Sequence, residues 1–187
     1  MPPRVKINKQ EIIQTAIETV RKKGASALNA RNLARELGCS TQPIFSNFKT
    51  MDDLQKDVVS CAYERYLSFI QREVESEKYP VYKAFGMAYI RFAEQEKELF
   101  KLLFMCDKKG RELLPTQDFE ASVEMIMQAN ALTKEQAELM HLEMWACVHG
   151  IATMLATSFL SFDWELISRM LTDVYQGVRA MNIGKRS

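Results

Sequence analysis

Glycine and proline are scarce, with seven and five among 187 residues, and three of the prolines (Pro2, Pro3 and Pro80) stand at the terminus or beside an apparent break. That scarcity favours an all-α protein. The four cysteines, Cys39, Cys61, Cys106 and Cys147, lie far apart with no paired spacing. Neither a metal site nor a disulfide framework is expected from them, and reduced thiols are the simpler reading. No stretch approaches the roughly 18 uninterrupted apolar residues of a membrane span, and the start, MPPRVKINK, lacks the apolar run of a signal peptide. A cytoplasmic protein with no membrane partner is the expectation.

Net charge is also nearly absent, at +1, so the bulk balance argues for no polyanionic partner. The distribution says more. Residues 1–56 hold ten basic and five acidic side chains and carry +5, while the rest carries −4. A neutral chain that is basic at one end commonly keeps that end for a polyanion.

Apolar spacing places the helices. Asn8 or a neighbour caps a first helix through Ile12, Ile13, Ala16, Ile17 and Val20, stopped by Gly24. Asn29 caps a two-turn helix carrying Ala30, Leu33, Ala34 and Leu37, ended by Gly38, and Ser40 caps a very short one from Thr41 to Phe48. Thr50, whose hydroxyl can accept from the Asp53 amide, opens a long helix to Glu75 or Ser76. After Pro80, helices follow from Val81 to about Gln95 and from Lys97 to about Met105, and Gly110 and Pro115 interrupt. Residues 117–130 form another, Thr133 caps a longer one through Leu160, and Asp163 caps the last through about Met181. No strand pattern competes with these.

Two short helices joined at Gly38-Cys39-Ser40, behind a longer supporting helix, have the layout of a helix-turn-helix. Ser40, Thr41 and Gln42 are the short polar residues that a recognition helix needs at its start. Gln42 suits a bidentate contact to adenine, Thr41 a thymine methyl or a phosphate, and Lys49 a backbone phosphate. Arg4, Lys6 and Lys9 suit an arm along the adjoining groove. The same turn also occurs in three-helix units that never touch nucleic acid, and spacing alone leaves both readings open.

Residues 9–54 resemble the DNA-binding domain of the TetR family of bacterial transcriptional regulators. The matching pieces are IIQTAIETVRKKG, ALNARNLARELGCS and IFSNFKTMDDL. The resemblance implies a DNA-binding domain over residues 1–50 and a helical ligand-binding and dimerisation domain over 51–187. In such a domain Asn29 resembles the capping residue that contacts phosphate, with Arg31 beside it. The family usually has Tyr at the place of Phe45, often His at that of Asn47, and Lys at that of Met51. Two phosphate contacts common in the family are therefore missing, and Lys49 is the candidate to replace one. Pro43 is tolerated if it lies in the first helical turn.

In the remainder, Trp145 to Gly150 resembles the Trp…His-Gly signature of one carboxyl-terminal subgroup. His149 is open to two readings, a ligand-binding residue or a histidine satisfied inside the packing. Gly150, inside a helix, suggests a close helix approach. The helix from Thr133 is apolar nearly all round after His141, more than one subunit covers. The resemblance implies a homodimer through the last two helices, with Gly150, Thr153, Thr157, Val174 and Val178 as interface candidates. Eleven Met and ten Phe make either an ordinary core or a pocket for a small apolar effector, with Phe92, Phe104, Met125, Met144 and His149 as its candidate lining. No cofactor is expected. An enzyme is disfavoured, since His141 and His149 show no metal-binding spacing and no phosphate loop or paired nucleophile occurs. A ligand-responsive repressor acting as a homodimer on a palindromic double-stranded DNA operator is the reading. The alternative, a helical adaptor that binds another protein, leaves the +5 segment unexplained.

Overall fold

The computed structural model describes residues 7–105 and 116–184, and among these it is all-α, with no strand. Arg4 and Lys6, Cys106, and the breaks expected at Gly110 and Pro115 lie outside the described residues. The helices are α1 (Lys9–Lys23), α2 (Ala30–Glu36), α3 (Gln42–Asn47), α4 (Met51–Glu75), α5 (Val81–Gln95), α6 (Lys97–Phe104), α7 (Thr116–Asn130), α8 (Lys134–Ala156) and α9 (Trp164–Gly184), with a single 3₁₀ turn at Ala25–Ala27.

Most helix starts follow from caps named in the sequence. Asn8 and Glu11 form a reciprocal capping box, with both bonds between 2.8 and 2.9 Å. Thr50 and Asp53 exchange the same pair of bonds at 3.2 and 3.1 Å. Thr133 is boxed with Gln136, and Asp163 accepts from the Glu165 amide at 2.8 Å. Gly24 and Gly38 end their helical segments at φ +80° and +64°, a region open to glycine at little cost.

Two boundary expectations are corrected. Ser40 does not cap α3: Thr41 occupies that position, with helical backbone and no side-chain capping bond. Pro43 falls in the first turn of α3, where its missing amide breaks no helical hydrogen bond. α8 stops at Ala156, not Leu160, because Ser158 turns to φ +57°. The Phe159 amide then donates to the Met154 carbonyl at 2.9 Å and the Ser158 amide to that of Leu155 at 3.0 Å, a Schellman closure with serine in the position usually held by glycine.

The chain forms two compact units, residues 1–67 with 96–106, and residues 68–95 with 107–187. Compactness thus divides the chain within α4 and returns α6 to the first unit, whereas the sequence suggested a boundary at residue 50. In the first unit α1 packs against α2, α3 and α6. Ile12, Ala16, Val20, Leu33, Ile44, Leu54 and Leu99 are fully buried, and each of these side chains other than Ala16 is worth about 1.5–3 kcal/mol over exposure. Glu96, buried just before α6, accepts from Arg21 at 2.7 and 2.9 Å and from Arg65 at 2.7 Å. Burial alone would raise its pKa. The bonds from Arg21 and Arg65 outweigh that and hold the carboxyl below its ordinary range.

In the second unit α8 is central, packing on α5, α7 and α9. Its length and composition alone would let it cross a membrane, but Ala137, Met140, Met144, Val148, Ile151, Ala152 and Leu155 form a buried stripe along it. The close helix approach belongs to Gly86 on α5, not to Gly150. A Cβ at Gly86 would stand 3.2 Å from Val148 and 3.4 Å from Leu171, whereas one at Gly150 meets nothing within 4 Å.

Candidate nucleic-acid interface

The interface candidates occupy one short stretch of the first unit. α3 is anchored by Ile44 and Phe48, 0% and 5% exposed. That anchoring turns the rest of the helix outward. Ser40, Gln42, Phe45, Asn47 and Lys49 are exposed, while Thr41 and Pro43 are half-buried. Asn29 caps α2 by accepting from the Asn32 amide at 3.0 Å, and it remains exposed, with Arg31 exposed two residues on.

The polar groups differ in how free they are. The Ser46 hydroxyl donates to the Gln42 carbonyl at 2.9 Å, and the Asn47 amide to the Pro43 carbonyl at 2.8 Å. Lys9, expected in an arm along the adjoining groove, is instead the first residue of α1. Its ammonium sits 2.7 Å from Asp57 and over the Phe48 ring at 5.2 Å. Lys56 pairs loosely with Asp53 at 3.8 Å, and Lys23 pairs with Glu36 at 2.6 Å. Arg31 and Lys49 carry no ion pair among the described residues. Lys49 borders an open recess lined also by Lys9, Asn47, Phe48, Asp53, Lys56 and Asp57. Charged anchors at the edge of a short outward helix, with an amide at its tip, suit phosphate and base-edge contacts respectively.

The candidates for an effector pocket divide between the units. Phe104 belongs to the first, where its ring meets Tyr66 edge-on at 5.3 Å and lies tilted on Phe100 at 5.2 Å. Phe92, Met125, Met144 and His149 belong to the second. Phe92 is fully buried, with its ring edge-on to Phe69 at 5.3 Å. Met144 is buried in the α8 stripe, and Met125 is half-buried on α7. His149 is hydrogen-bonded inside its own unit: Nδ1 lies 2.9 Å from the Tyr89 hydroxyl, and the Trp145 indole stacks on its ring at 4.9 Å.

Sequence reasoning missed a second polar cluster, around His141. Its Nδ1 lies 3.0 Å from the Tyr82 hydroxyl, and Phe119 packs edge-on to its ring at 5.0 Å. Nearby, Asn130 donates to the Tyr175 hydroxyl at 3.0 Å and accepts from Arg179 at 2.7 Å. The partners are 45–60 residues apart in the chain, so no local spacing signals them. No group of three metal-ligating side chains occurs among the described residues.

Of the dimer candidates, Val178 packs partly buried against the core around Ile126 and Met140. Val174 is half-buried, and Thr157 is exposed with its hydroxyl on the Thr153 carbonyl at 2.7 Å. The Thr153 hydroxyl is enclosed without a hydrogen-bond partner among the described residues. α8 leaves Leu139, Leu142 and Trp145 45–50% exposed, and Phe159 beyond it 75%.

No curated protein matches the chain. A solved structure described as a protein with unknown function, from Rhodococcus sp. RHA1, is similar over 97% of this chain and 99% of its own, with a TM-score of 0.71 and 22% identity, a likeness of fold. Residues 82–174 match the family model of the tetracyclin repressor-like, C-terminal domain. Over those residues the chain carries a TetR-like carboxyl-terminal domain.

Proposed function

We propose that the chain is a DNA-binding transcriptional repressor that acts in the cytoplasm as a homodimer on a palindromic operator. The observation that carries this is the outward α3. It is short, rooted by Ile44 and Phe48, and tipped by exposed Ser40 and Gln42 beside Lys49, which has no ion pair among the described residues. Here Gln42 reads a base edge, while Asn29, Arg31 and Lys49 hold phosphates and fix the register.

Two copies are needed, because one six-residue helix reads too few base pairs for a specific site and a palindrome mirrors a two-fold protein. The exposed Leu139, Leu142 and Trp145 of α8 are the apolar surface from which such a dimer would be built, with Gly150 and Thr153 along the same helix, Thr157 just past its end, and Val174 and Val178 on α9. A small, mainly apolar effector held by the second unit lowers DNA affinity, with Phe92, Met125 and Met144 as its contacts. Such coupling is typically worth about 1–3 kcal/mol. α4 runs through both units and is the candidate link.

The test is selection of duplexes from a random-sequence pool by the full-length protein, followed by sedimentation of the complex. Enrichment of an inverted repeat bound by two chains is expected. Retention of random DNA with no enriched sequence, or a 1:1 complex, would refute the proposal. Gln42→Ala is expected to relax preference at one base pair per half-site by about 1–3 kcal/mol.

A further inference from the structure

We infer that Phe45 reads the 5-methyl group of a thymine, so that part of the sequence preference comes from an apolar contact. This rests on the DNA-binding reading above and adds the chemistry of one contact. Most of α3 is already committed. Ile44 and Phe48 enter the core, and Ser46 and Asn47 donate to carbonyls of their own helix at 2.9 and 2.8 Å. What remains outward is Gln42 and, three residues on and therefore on the same helical face, the Phe45 ring at 49% exposure. A phenyl ring has no group to donate to a phosphate oxygen. In water an exposed ring of this size gains nothing, whereas against an apolar partner it is desolvated favourably.

The floor of the major groove offers one apolar group to such a ring, the thymine methyl, and phenylalanine is among the side chains that contact it. Gln42 and Phe45 then divide the work: the amide recognises donor and acceptor positions, and the ring recognises the methyl. Neither contact needs a charge, so both act on sequence without adding to the salt-dependent affinity.

The probe is a duplex enriched by the full-length protein from a random pool. Each thymine of one half-site is replaced in turn by deoxyuridine, which removes only the methyl group. Wild-type protein is expected to lose about four-fold in affinity at one or two positions, the effect of one buried methyl-sized group. Phe45→Ala should bind the thymine and uracil duplexes equally, Phe45→Tyr should keep the difference, and Gln42→Ala should keep it too. If Phe45→Ala binds too weakly to measure, Phe45→Leu replaces it, with a reduced uracil effect expected. Indifference of the wild type to every uracil, or undiminished uracil sensitivity in Phe45→Ala or Phe45→Leu, overturns the methyl contact while leaving DNA binding intact. A pool that yields no enriched duplex overturns the DNA-binding reading itself.

Discussion

The Tyr89 hydroxyl stands 2.9 Å from Nδ1 of His149, and about two helical turns earlier the Tyr82 hydroxyl stands 3.0 Å from Nδ1 of His141. Both tyrosines lie on α5 and both histidines on α8, and the pairs run in the same order along each, so the two helices are parallel. The bonds lock the rotation of α8 about its axis, and with it which apolar side chains the helix leaves outside. Burial pushes both tyrosine pKa values up, so the hydroxyls keep their protons and can donate to a neutral imidazole.

Tyr89→Phe is therefore expected to destabilise the protein by about 1 kcal/mol, the usual net worth of one such bond. Urea unfolding checks it as a lower midpoint at unchanged slope. An unshifted midpoint would show that the Tyr89–His149 bond adds nothing to stability.

His141 gives the pH dependence a sign. Desolvation holds its pKa below the ordinary value, near 6.5 in an unfolded chain. As pH falls through about 6.5 the unfolded chain takes up this proton first, so stability is highest above that value and declines below it until the folded pKa is passed. Wild-type stability should fall between pH 7.5 and pH 5, and by less in His141→Gln. Parallel declines in the two proteins would place the acid sensitivity on other groups.

What the sequence discloses here is local. Asn8, Asn29, Thr50, Thr133 and Asp163 announce their helices because a cap acts on amides two or three residues away. The end of α8 is not legible, since a serine at positive φ carries no turn signature and Phe159 and Leu160 extend the apolar pattern past it. Gly150 and Gly86 look alike in sequence, and only the packing of Val148 and Leu171 distinguishes them. The exposed stretch around α3 was legible as positions. Its ion pairs were not: nothing near Lys9 in the chain foretells Asp57, 48 residues on.

The two glycines make opposite predictions. Gly150→Ala adds a methyl group in open space to a helix, and should stabilise one chain by up to about 1 kcal/mol. Gly86→Ala gains the same propensity but presses on Val148 at 3.2 Å, an overpacking cost of about 1–3 kcal/mol. It should leave stability unchanged or lower. Thermal unfolding of both variants decides it, and a stabilised Gly86→Ala would mean that Val148 and Leu171 yield freely. Gly150→Leu separates the folding role from the proposed dimer role: an unchanged monomer fold with weakened association is expected in sedimentation.

Lys49 and Lys9 line the same recess beside α3, yet they should contribute differently to DNA affinity. Lys49 has no carboxylate partner among the described residues, so it is free to neutralise a phosphate and release a counterion. Lys9 is held 2.7 Å from Asp57, and a phosphate would have to compete with that carboxylate. Each phosphate neutralised steepens the fall of log affinity with log salt by about 0.9. In a dimer, Lys49→Ala should therefore flatten the slope by roughly 2 and weaken specific and random duplexes alike. Lys9→Ala should leave the slope nearly as it was, while Asp57→Asn, which frees Lys9, should steepen it. Equal flattening by Lys9→Ala and Lys49→Ala would mean that the Lys9–Asp57 pair opens on DNA, and that the recess acts as one phosphate site.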